Sequence, residues 1–282
     1  MKKEIKELYP NWIHDIKTLN RNVTLSNDLD SLISCCLLDY LFGLKINYFY
    51  DFRSISQLDH TDIRNSIGVD IALKNGLCFD NHLTRLTSNS YVNEQSANIN
   101  VATGGNWERY TDKFAMSTLI QIWSLYGLPL PSSYEGKMIL LCTDVGFKGF
   151  YDNRFKTTFL NYLEQLEMME LVELLEAHTI EEMYDFYRKN LLHTGIEMYG
   201  TRQQKGELYF TEDSLIRELD INWISEHLGF PVALPQGSFE TITRFKTKKI
   251  EPYELQSQIE GAFSFAFINM RTIMISMKGE SA

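Results

Sequence analysis

Asp28 and Asp30, Asp70, Asp80 and Asp144 each stand in or beside the end of a short apolar segment that reads as a buried strand. The segments are Asn22-Val23-Thr24-Leu25, Gly68 to Leu73, Leu77 to Asp80, and Lys137 to Thr143. Ligands of an open α/β sheet bind outside the carboxyl ends of its strands. If these strands are parallel neighbours, their carboxylates converge on one crevice. Crowded carboxylates repel one another, so near neutral pH such a group needs protons or hard divalent cations between its members. The expected occupant is Mn²⁺ or Mg²⁺, one or two ions, and a pair about 4 Å apart would clamp the attacking and leaving oxygens of a phosphoryl displacement. A lone Asp at a strand end is more often a helix N-cap or turn residue. Its recurrence at four strand ends is what favours the metal reading for the set.

The elements that must position these side chains alternate along the chain. A helix is expected over about 3–18, the first strand over 22–25, and an apolar-periodic helix from Leu32 to Phe42, stopped by Gly43. Ile46 to Tyr50 reads as a strand, Thr111 to Tyr126 as a helix, and Phe155 to Asn190 as helical, with Thr179 and Glu182 spaced as a capping box. Alternating segments follow at Glu207 to Phe210, Thr241 to Phe245, Phe263 to Ile268 and Thr272 to Met277. The fold class expected is α/β: a mostly parallel doubly wound sheet over 1–152, a helical connector over 153–194, and a smaller α+β carboxyl-terminal domain over 195–282.

Composition bounds the partners. With 282 residues, 44% hydrophobic and 23% charged, the chain is an ordinary globular one. Acidic residues outnumber basic ones 37 to 27, for a net charge of −10, the reverse of the balance that duplex DNA selects. A small phosphorylated ligand or a short single-stranded nucleic acid is the expected partner, and a homo-oligomer is left open. No signal-peptide pattern opens the sequence and no apolar run approaches bilayer length, so a cytoplasmic protein with no membrane partner is expected. Cys35, Cys36, Cys78 and Cys142 lie in apolar runs without metal-binding spacing and read as buried reduced thiols.

Taken in order, Ser26-Asn27-Asp28-Leu29-Asp30-Ser31, Asp70 in Val69-Asp70-Ile71, Asp80-Asn81-His82, and Asp144 after Ile139 to Thr143 resemble the motifs of the DHH phosphoesterase superfamily over about residues 20–150. That superfamily includes single-strand exonucleases, nanoRNases and family II inorganic pyrophosphatases. The resemblance implies a parallel α/β domain holding two Mn²⁺ or Mg²⁺ and a smaller domain that supplies basic substrate-binding residues. It implies that Asp28 and Asp30 ligate one metal each, that Asp70 bridges, and that Asp144 completes the second site. His82 would face the scissile phosphate, and Asp80 would orient its neighbours. The pattern departs from the family at two places. Ser26 and Asn27 occupy the stretch where the first motif has a metal-binding His, and Asn81 replaces the first His of the signature. Asn81 offers a neutral carbonyl oxygen, a weaker ligand for Mn²⁺ than imidazole. One retained ion, a site completed by substrate phosphate, and an inactive binding protein all remain open.

Other residues are secondary. Gly104-Gly105 before Asn106-Trp107 reads as a plain loop, or else as a turn that approaches a phosphate. Lys113 is a candidate charge compensator. Arg244, Lys246, Lys248 and Lys249 form the densest basic cluster, ordinarily a solvated strand face, of which Arg244 is the expected substrate contact. The reading is a metal-dependent phosphoesterase using activated water. Its alternative is a catalytically degenerate nucleotide sensor or interaction protein on the same scaffold. A haloacid-dehalogenase-like phosphatase with Asp28 as nucleophile ranks third.

Overall fold

A computed structural model describes residues 1–191, 208–211, 214–216 and 219–278. Eleven strands are present among them: β1 Asn22–Ser26, β2 Ile46–Tyr50, β3 Ser54–Gln57, β4 Ser66–Val69, β5 Cys78–Phe79, β6 Ser96–Ala97, β7 Tyr209–Thr211, β8 Ser214–Ile216, β9 Glu240–Ile250, β10 Ala262–Asn269 and β11 Thr272–Lys278. Nine of them form one sheet in the order β10-β11-β9-β3-β2-β1-β4-β5-β6, and β7 pairs with β8 alone. The half from β2 to β6 is parallel. From β2 through β3, β9 and β11 to β10 every pairing is antiparallel. The class is α/β, but the sheet is mixed where a mostly parallel one was expected. The carboxyl-terminal strands extend it through the β3–β9 pairing, which places Ser54 opposite Arg244.

Two compact units divide the chain, and each draws on several segments. One contains Lys3–Ser26, Leu44–Phe114 and the described residues from Phe239 onward, and it carries the nine-stranded sheet. The other contains Met1–Lys2, Asn27–Gly43 and the described residues of Ala115–Ser238. That second unit is built from helices, chiefly Leu29–Phe42, Thr118–Leu125, Tyr134–Cys142, Lys156–Gln165, Ile180–Asn190 and Ile221–Leu228, with the β7–β8 pair. No helix among the described residues is long and apolar enough to cross a membrane.

Local chemistry explains the elements, including those the sequence misled on. Helix Leu29–Phe42 begins at Asp28, whose carboxylate accepts from the Ser31 N–H at 2.9 Å, and ends at Gly43 in the left-handed conformation, φ 73°. The Thr179–Glu182 capping box forms as expected. The amino-terminal helix is only Lys3–Lys6, followed by 3₁₀ turns at Asn11–Ile13 and Ile16–Leu19, because Pro10 interrupts it. The expected helix over 111–126 shortens to Thr118–Leu125, started by Ser117, whose hydroxyl caps Ile120 N–H. Glu207, in the segment expected to be a strand, lies outside the described residues, whereas Tyr209 and Phe210 are in β7.

The largest correction concerns Lys137 to Thr143, expected as a strand ending in Asp144. Lys137 to Cys142 lie in helix Tyr134–Cys142, capped by the Ser133 hydroxyl on the Gly136 N–H at 3.0 Å, and Thr143 opens the 3₁₀ turn that follows. Met138 to Cys142 are all buried, so the apolar run has no exposed face and its period does not distinguish a buried helix from a buried strand. In the same unit a Cβ added to Gly136 would stand 2.3 Å from the His227 carbonyl oxygen and 2.5 Å from the Pro131 Cβ.

Candidate metal centre

Adjacent parallel strands deliver the candidate residues from their carboxyl ends. β4 stops at Val69 because Asp70 turns into the left-handed region, φ 56°, with its N–H on the Phe79 carbonyl at 2.8 Å. Asp is one of the few non-glycine residues that enter this region readily. The expected strand 68–73 therefore ends before Asp70. β5 delivers Asp80, which is fully buried, and β6 delivers Asn98.

Hydrogen bonds fix the group. Asp80 Oδ1 lies 2.7 Å from His82 Nδ1, and its Oδ2 accepts from Asn98 Nδ2 at 2.8 Å. The same Asn98 amide donates to the His82 carbonyl at 2.8 Å. A carboxylate only accepts, so the proton of the neutral imidazole sits on Nδ1 and the lone pair on Nε2. Asp70 Oδ1 is 3.9 Å from His82 Nδ1. One ligand atom from each of Asp70, Asp80 and His82 lies within 4.8 Å of the others. The two carboxylates are buried, while a third of the His82 side chain is exposed, so the group opens on its imidazole side. Two carboxylates and an imidazole suit Mn²⁺ or another transition ion better than Mg²⁺, which favours oxygen alone.

Main-chain contacts hold the loops that carry the group. Asn81 is buried between Asp80 and His82, and its carbonyl accepts from Asn100 Nδ2 at 2.8 Å. Asn100 also ties down Phe114, receiving its N–H at 2.8 Å and donating to its carbonyl at 3.0 Å. The outer edge of β10 grips both loops: Phe265 N–H donates to the Ala72 carbonyl at 3.0 Å, Phe267 N–H to the Leu83 carbonyl at 3.0 Å, and Lys74 N–H to the Phe263 carbonyl at 2.9 Å. Sequence reasoning passed over Asn98 and Asn100, and it expected the strand at 263–268 without its contact with these loops. The available signal was the recurrence of asparagine at 93, 98, 100 and 106, a short amide that can bridge two backbone segments.

Asp28, Asp30 and Asp144 belong to the helical unit and influence one another there. Asp30 is buried, with Oδ2 accepting from Thr118 N–H at 2.6 Å and Oδ1 from Leu119 N–H at 2.8 Å. Burial pushes its carboxyl well above the usual range, the charges of Asp28 and Asp144 push it further, and the Leu119 and Thr118 N–H groups oppose them. Asp144 is exposed, in a 3₁₀ turn after a helix, with φ 54°. Folding raises the Asp30 pKa, so its contribution to stability is present at low pH and is lost as pH rises from the unfolded toward the folded value. Replacing Asp144 with asparagine removes one of the repelling charges. The melting temperature of the metal-free D144N variant is expected to rise near pH 7, with the gain shrinking at about pH 3, as Asp30 takes up its proton and no longer repels its neighbours. Thermal melts at the two pH values check this.

The basic candidates are placed plainly. Arg244 is exposed on β9, and the Lys113 ammonium lies 4.8 Å from the centre of the Tyr110 ring. All four cysteines are buried and reduced, and burial pushes the Cys78 thiol up to about 12 and the Cys36 thiol up to about 11, which makes both unreactive. Comparison with family models, curated proteins and solved structures finds no match to this chain.

Proposed function

We propose that the chain is a metal-dependent phosphoesterase of the DHH type, acting on a small phosphorylated ligand such as a short oligonucleotide or nucleotide. The observation that carries this reading is the meeting of Asp70, Asp80 and His82 beyond the ends of β4 and β5. Asp70, Asp80 and the His82 ring are the residues that would hold an ion. When bound, the ion would lower the pKa of water and neutralise charge on the phosphoryl oxygens.

The chain's own groups do the rest. Asp80 holds the His82 ring by Nδ1, which turns the Nε2 lone pair outward as the ring's ligand atom toward an ion. Asn98 keeps Asp80 aimed at the ring. One ion is the expected load, because one group of three side chains, Asp70, Asp80 and His82, gathers its ligand atoms among the described residues. The net charge of −10 suits a short substrate.

Calorimetry with Mn²⁺, combined with hydrolysis assays on phosphomonoesters, dinucleotides and short oligonucleotides, tests the reading. One ion bound per chain and release from at least one substrate class are expected. Absence of both metal binding and hydrolysis overturns it. The sensor reading draws on one observation: both Asp80 oxygens are already held by the protein, by His82 and Asn98. Saturable binding of a nucleotide with no turnover would establish it.

A further inference from the structure

Three residues beyond His82, Arg85 carries a guanidinium whose Nε is buried and has no hydrogen-bond partner, and no carboxylate among the described residues pairs with it. In a chain of net charge −10 this needs a reason. A donor withdrawn from water without an acceptor destabilises the fold unless a ligand supplies one.

The surroundings have the features of an anion cradle. Gly104 takes a left-handed conformation, φ 76°, and a Cβ there would stand 3.8 Å from Arg85 Nη1. A Cβ on Gly105 would press on the Asn100 carboxamide oxygen at 3.0 Å. Glycine at 104 answers to its left-handed backbone, which brings the main chain beside the guanidinium, and glycine at 105 to the close approach of Asn100. Beside this turn, Asn106 Oδ1 is also buried without a donor, while its Nδ2 donates to the Gly104 carbonyl at 3.2 Å. An unused donor and an unused acceptor at one turn match a phosphoryl group that carries both oxyanions and a hydroxyl. The planar fork of arginine suits that geometry.

The cradle is tied to the loop of the candidate centre. Trp107 N–H donates to the Arg85 carbonyl at 2.9 Å, and Asn100, which Gly105 nearly touches, also holds the Asn81 carbonyl. We propose that Arg85, Gly104 and Asn106 form an anion subsite that binds a phosphoryl group of the substrate. Naming that group as the substrate's rests on the phosphoesterase reading; the subsite itself does not.

The test uses the full chain stripped of divalent ions and titrated with inorganic phosphate in a calorimeter. Saturable binding is expected. Arg85→Gln should weaken it at least about tenfold, the loss of one charge-assisted pair, while Asp70→Asn should bind phosphate at least as tightly as the wild type. Arg85→Lys keeps the charge without the fork and should fall between the two, which provides a decisive variant if R85Q does not fold. No saturable phosphate binding by the wild type, or equal affinity in a folded R85Q or R85K, overturns the proposal. Mn²⁺ titrations of the same samples keep the two readings apart, because phosphate binding without metal binding sinks the metal centre and leaves the subsite standing.

Discussion

Replacing Asp70 with asparagine is expected to abolish measurable Mn²⁺ binding at the Asp70–Asp80–His82 group and to cut phosphoester hydrolysis by about 10²–10³-fold, with the fold intact. Asparagine is the informative choice for a backbone reason. Asp70 sits at φ 56°, a region that asparagine tolerates and alanine resists. D70N therefore removes the charge and leaves the turn after β4, with its N–H on Phe79, unchanged. An anionic ligand lost from a three-residue donor set takes with it the stabilisation of phosphoryl charge, an effect that amounts to several kcal/mol when the site is preorganised. Calorimetry and initial rates on D70N, with circular dichroism as the control, decide the matter. Wild-type metal affinity in D70N would remove the ion from this group.

Gly136→Ala is expected to destabilise the chain by about 2 kcal/mol or more and to lower its melting temperature by about 4–8 °C. Helix propensity alone predicts the opposite, because alanine is favoured over glycine by about 1 kcal/mol inside a helix. The contact geometry prevails. The added methyl would lie 2.3 Å from the His227 carbonyl oxygen, a backbone atom, and 2.5 Å from the Pro131 Cβ. Neither is the far end of a flexible side chain, so helices Tyr134–Cys142 and Ile221–Leu228 would have to separate. A melting temperature equal to or above that of the wild type would show that these helices can part at little cost.

Local signals carried much of the fold. The helix from Asp28 to Gly43 has a cap residue at each end, and the Thr179–Glu182 spacing has one physical reading. β1, β2, β9, β10 and β11 announce themselves by alternation or by short apolar runs between turn residues. What was not legible is non-local. Nothing in Ser54–Gln57, polar and four residues long, marks it as the bridge between the parallel strands and β9. Met138 to Cys142 was ambiguous because burial on every side erases the period. The cost was specific: Asp144 was given a strand end that it does not occupy. In the candidate centre, the sequence singled out Asp70 as a metal ligand and gave Asp80 and His82 other roles, with Asp28, Asp30, Asp144 and Asn81 as the remaining ligands, whereas Asn98, Asn100 and Arg85 received none. Their roles depend on loops that meet only after the strands have paired.

The grip of β10 on the Ala72 and Leu83 carbonyls has a consequence for biosynthesis. About 190 residues separate Phe265 from Ala72, and contacts that close so large a loop form late. During translation, which proceeds from the amino terminus at about 5–20 residues per second, the segments bearing Asp70 and His82 leave the ribosome well before the strand that steadies them exists. The loops that bear Asp70 and His82 therefore acquire these hydrogen bonds only once β10 has been made.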